Sequence, residues 1–165
     1  MKTKNQVSFT TVLILLFCTK NLYSQKSHKN EKHGEIHKNE LGIANNIVHF
    51  SKQNEFSYSV HIHFIKKTNI KNLGIGLGYE RIFDNHYHNT FGVVFSYNLL
   101  EKLVVIVSPG LTIEKRNYKE KEFALHLEAT YEFDFKDFHI GPVIEFAYDP
   151  NDYHSSIGVH LAYGF

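Results

Sequence analysis

The chain has 165 residues, 18 basic and 17 acidic side chains for a net charge of +1, one cysteine and 12 histidines. That length fits a single domain, and a nearly neutral balance argues against a general nucleic-acid binder, which needs a basic face. A lone cysteine cannot build a disulfide framework or a thiolate metal site.

The start reads as a targeting segment. Lys2 and Lys4 precede a short apolar run, Val12 to Cys18, and Leu22-Tyr23-Ser24 offers a cleavage site with Gln25 opening the mature chain. The run falls well short of the roughly 20 residues that a membrane-spanning helix needs. Cys18 raises the alternative of a lipid-modified cysteine, but bulky Phe17 stands where such sites take a small residue. Residues 1–24 are therefore expected to be a signal peptide. Its removal takes away three lysines and the only cysteine, so the net charge passes from +1 to −2 while all 12 histidines remain. Residues 25–40 are Lys, Asn, Glu and His with little apolar content, which predicts a flexible leader.

From residue 41 onward, apolar residues recur at every second place, the period of a strand with two unlike faces. Leu41 to Phe50 is the first such stretch, with Asn45 interrupting its apolar face. Phe56, Tyr58, Val60, Ile62 and Phe64 form the second stripe, and Leu73, Ile75, Leu77 and Tyr79 the third. Phe91, Val93, Phe95, Tyr97 and Leu99 follow, then Val105, Val107, Pro109, Leu111 and Ile113. The longest stripe runs over odd positions from Phe123 to Phe135, opposite His126, Glu128, Thr130, Glu132 and Asp134. Phe138, Ile140, Pro142, Ile144, Phe146 and Tyr148 precede the last set, Ile157, Val159, Leu161, Tyr163 and Phe165. Eight strands is an even count, as closed bacterial membrane barrels use.

Alternation alone also fits a soluble sandwich or barrel with its apolar face inward. The glycines favour the opposite orientation. Gly42, Gly74, Gly76, Gly78, Gly92, Gly110, Gly141, Gly158 and Gly164 all lie opposite the aromatic stripes. An eight-stranded barrel has a lumen barely wide enough for side chains, so glycines beside large polar groups suit its interior. Aromatic rings also gather near both sets of strand ends, as girdles at lipid–water boundaries do. The predicted fold is a closed eight-stranded antiparallel up-and-down transmembrane β-barrel over residues 41–165. Pro109 and Pro142 conflict with it because each lacks a ladder donor, and a bulge is expected beside each.

The chain closes on Gly158-Val159-His160-Leu161-Ala162-Tyr163-Gly164-Phe165. This resembles the final strand of outer-membrane barrels of the outer-membrane protein A and X type, and their His-rich members of this size. The resemblance implies an outer-membrane address, and recognition of Leu161, Tyr163 and Phe165 by the barrel-assembly machinery. Outer-membrane lipids and lipopolysaccharide would be the surrounding partners of a monomer. With both termini periplasmic, the outer loops fall near residues 51–55, 84–90, 115–122 and 149–153, the inner turns near 66–72, 100–102 and 136–137. Basic Lys115, Arg116, Lys119 and Lys121, interleaved with acids, would lie at the height of lipopolysaccharide phosphates.

Histidine chemistry then has three places. The inward face carries His61, His63, Glu80, Glu114, His126, Glu128, Glu132, His139, Glu145 and His160, with Glu128, Glu145 and His160 expected at similar heights. The leader carries His28, His33 and His37; the outer mouth carries Asp84, His86 and His88, with Asp149, Asp152 and His154 in another loop. Imidazole with carboxylate suits zinc, nickel or copper, whereas a filled lumen also needs such pairs merely to satisfy its polar groups. The expected function is a non-enzymatic barrel, structural or ligand-binding, that handles divalent metal. The alternatives are a lipid-modifying enzyme, for which His49 and Ser51 at the rim lack an acidic orienter and a Gly-x-Ser-x-Gly turn, and a small transport barrel.

Overall fold

Period-two patterning commits each stretch to a strand with one apolar and one polar or small face, and such strands are stable only when every edge is paired. In the computed structural model, which describes residues 37–85, 88–113, 121–148 and 153–165, they pair into a closed ring. The strands are β1 (Asn39–Phe50), β2 (Glu55–Lys67), β3 (Leu73–Ile82), β4 (Asn89–Leu100), β5 (Leu103–Ile113), β6 (Lys121–Tyr131), β7 (Phe133–Phe135), β8 (Phe138–Tyr148) and β9 (Tyr153–Gly164). Every pair is antiparallel, neighbours follow one another in sequence apart from β6 with β8, and β1 also pairs with β9. β6 and β7 meet β8 in one continuous register and form a single stave broken at Glu132, so the barrel has eight staves. The first strand begins at Asn39, two residues before the expected boundary, and His37 pairs with Asp137 at 3.2 Å. The signal segment, most of the leader, His28, His33, His86, Glu114 and the loops 115–120 and 149–152 lie outside the described residues.

The orientation is the one the glycines indicated. Leu77, Phe91, Leu127, Ile144, Ile157 and Val159 stand on the outside, while His63, Glu128, Thr130 and His160 are almost fully buried. Aromatic pairs mark both rims. Phe138–Tyr163 and Phe64–Phe165 lie at the end carrying the termini, and Tyr79–Phe91 and Tyr58–Phe83 at the far end. Asn45 does face outward, but the Tyr58 hydroxyl of β2 donates to its side-chain oxygen at 2.6 Å. A cross-strand hydrogen bond thus covers part of the polar group that interrupts the stripe, as polar groups facing hydrocarbon require.

The expectation of a bulge beside each proline is not met. The β4–β5 register is the same on both sides of Pro109, and that of β8 against β9 runs through Pro142. The missing donors are absorbed by short gaps in the ladder on one side only. Pro109 pairs normally with Leu125 of β6 while Val93 and Val94 of β4 are left out of the ladder; opposite Gly141 and Pro142, Tyr131 and Glu132 are left out. Gly141 permits this close approach, because a Cβ there would strike the Tyr131 carbonyl. The register shift that does occur lies at Asn98–Leu100, beside a tight turn. Asn54, Asn72 and Lys136 adopt positive φ in turns; asparagine tolerates this region, whereas lysine pays about 1–2 kcal/mol for it.

Candidate functional site

The lumen holds two apolar caps with a charged layer between them. Val48, Phe50 and Ile82 pack together toward the far end, and Ile65, Val94, Val104 and Ile106 toward the end carrying the termini. Between and beside these caps lie His61, His63, Glu80, His126, Glu128, Glu145, His154 and His160, all buried. Strand alternation puts them there: Glu80, Glu145, His154 and His160 share parity with the glycines of their own strands, and His61, His63, His126 and Glu128 alternate with the outward aromatic and aliphatic residues of β2 and β6.

Register brings the acids together. Glu128 of β6 stands directly opposite Glu145 of β8. His61 Nδ1 lies 3.2 Å from Glu128 Oε2, and Thr130 donates to the other Glu128 oxygen at 3.1 Å. Glu145 pairs with His126 Nδ1 and receives long contacts of 3.4 Å from Asn46 and Ser156. Glu80, on β3, is 3.4 Å from His126 Nδ1, yet neither of its oxygens accepts a hydrogen bond. Two triads result, His61–Glu128–Glu145 and Glu80–His126–Glu145, with the donor atoms of each within 4.8 Å of one another. Glu145 belongs to both.

His160 is not part of this group. Glu145 pairs in register with Ser156, and His160 sits opposite Gly141, four residues nearer the terminal end. There its ring stacks on His63 with centroids 5.1 Å apart and Nε2 atoms 3.4 Å apart. Gly42 makes room for the stack, because a Cβ would meet both rings. The pair connects to the terminal rim through Glu40, 3.8 Å from His63, and Glu132, 3.8 Å from His160. Glu132, Asp134 and His139 form a third triad at the wall of an open bowl, with His139 Nδ1 2.7 Å from Asp134.

At the far end His88 pairs with Asp84 at 2.7 Å. His154, expected in the outer mouth, instead points into the barrel, its ring 5.3 Å from Phe50 and 6.0 Å from His126. Parity with His160 on the same strand was the signal for this. His49 is held by Asn54 at 3.1 Å and lies against Phe56. Leu161, Tyr163 and Phe165 face outward at the terminal rim.

A closed ring of eight staves, apolar outside and filled with polar groups inside, is a small transmembrane β-barrel. Its fold is that of the small eight-stranded outer-membrane barrels. The structure is similar to Neisserial surface protein A, with a TM-score of 0.58 at 11% identity over 77% of this chain and 96% of that one. It is similar to the N-terminal barrel of Pseudomonas aeruginosa OprF, at 0.52 and 15% identity over 78% and 99%. A de novo designed transmembrane barrel gives 0.54 at 16% identity over 83% and 100%. No family model and no curated protein matches the sequence.

Proposed function

We propose that the protein is a non-enzymatic, non-conducting barrel of the outer membrane, delivered by the segment 1–24, that holds divalent metal through its histidines. The filled lumen carries this reading: apolar caps at two levels and a charged layer of His and Glu leave little continuous space for a solute. The similarity to outer-membrane barrels supports the address, and the outward Leu161, Tyr163 and Phe165 suit a terminal strand read by the assembly machinery. A ring without open edges suits a monomer, with outer-membrane lipids and lipopolysaccharide as its surroundings. Imidazole and carboxylate donors favour zinc, nickel or copper.

Purified protein reconstituted into planar bilayers is expected to give conductance at background. Equilibrium dialysis in detergent is expected to show retained zinc, nickel or copper. Steady ion currents would overturn the non-conducting half, and no uptake of any of the three ions would overturn the metal half.

A further inference from the structure

Resting on the metal-holding reading, we infer that the metal sits at one place: a divalent transition-metal centre in the lumen, with Glu145 as the ligand common to the His61–Glu128–Glu145 and Glu80–His126–Glu145 triads. Carboxylates directly opposite on one sheet face repel one another, and Glu128 and Glu145 are so placed with both side chains buried. Glu80 adds a third, whose buried oxygens accept no hydrogen bond. Among the described residues that are buried, none is lysine or arginine. Three acids therefore converge on a layer in which, among the described buried residues, imidazoles are the only side chains able to balance them.

A divalent cation answers each of these features. It supplies the charge that the acids lack, occupies the free oxygens of Glu80 and takes a nitrogen from His61 or His126. Supporting contacts are already in place, as ligating groups require: Thr130 on Glu128, and Asn46 and Ser156 on Glu145. Gly78 and Gly92, with Ser108 and Thr90, line a small cavity beside Glu80 and His126. His61 also lines it, so the space is bordered by one imidazole from each triad together with Glu80.

Donor groups also line up from the terminal end toward this centre. The bowl at the terminal end presents Glu132, Asp134 and His139. His160 lies 3.8 Å from Glu132 and 3.4 Å from His63, His63 is 5.5 Å from His61 between ring centroids, and His61 is 3.2 Å from Glu128. Potential ligands thus succeed one another from the bowl to the centre, side chain by side chain, through a lumen that is otherwise filled.

The test uses full-length protein extracted in detergent, stripped with chelator, loaded with Zn²⁺ or Co²⁺ and desalted. At least one ion per chain is expected to remain. Glu145→Gln is expected to weaken retention by about a hundredfold, at the limit of what losing a mere supporting partner causes. Replacing His28, His33 and His37 together by Ala is expected to leave retention unchanged. X-ray absorption of the wild-type zinc form needs no variant to fold, and should show a shell rich in carboxylate oxygen with one or two imidazoles. A shell of three or more imidazoles, or retention lost with the leader histidines and kept in Glu145→Gln, would overturn the lumenal centre while leaving metal holding intact. No retained ion in wild-type protein would overturn both.

Discussion

The two faces of the same strands obey different rules. The outer face needs only to be apolar, so Leu127, Ile144 and Val159 are interchangeable with other aliphatic residues of similar size. The inner face needs specific partners at specific heights: His61 answers Glu128, His126 answers Glu145, and His63 answers His160. A solvent-like requirement tolerates substitution in kind, and a partner-like requirement does not. Each substitution below strains one side of that contrast.

The largest effect is expected on the outer face when its single rule is violated. Leu127→Arg places a charge near the middle of the hydrocarbon and should cost about 2–4 kcal/mol, whereas Leu127→Ile should be close to neutral. Urea unfolding in lipid vesicles measures both. On the inner face, His61→Ala removes the partner of Glu128 and leaves a buried acid less satisfied. The expected loss is about 1–3 kcal/mol by the same assay, and a polar replacement such as His61→Gln should recover part of it.

The smallest effect concerns the position where the faces share a rule. Asn45 is an outward polar residue supported by Tyr58. Tyr58→Phe should cost about 0.5–1.5 kcal/mol in a bilayer. With Asn45→Leu already present, the same change should cost nearly nothing. Additive losses in that double-mutant cycle would show that the hydrogen bond contributes little and that Asn45 is solvated by other means.

This contrast also explains what could be read in the residues. The outer face, the eight staves and the inward glycines follow from parity alone, because a strand's period is fixed. Parity also placed His61, His63, His126 and His160 inside, and it would have placed His154 inside had it been followed two pairs further toward the start of β9. Pairing across strands was legible only in part: Glu128 and Glu145 were expected at one height and do face each other, whereas His160, expected with them, does not. Whether Glu145 faces Glu128, and His160 faces Gly141 rather than the acids, depends on registers set by turns such as that at Lys136. The prolines teach a related lesson. A missing donor can be absorbed by a gap in one ladder while register is kept, and composition does not distinguish that from a bulge.

The aromatic and aliphatic stripes on the outer face of the barrel touch lipid. Cys18 is the single cysteine of the sequence, so in a Cys18→Ser background single cysteines can be placed at residues 123 to 129 of β6, spin-labelled, and compared for collision with oxygen dissolved in lipid and with a polar nickel chelate. Labels at 123, 125, 127 and 129 should collide with oxygen, while those at 124, 126 and 128 stay shielded from it. The reverse pattern, with 126 and 128 open to the chelate and 125 and 127 closed to both reagents, would contradict the membrane barrel and turn the molecule inside out.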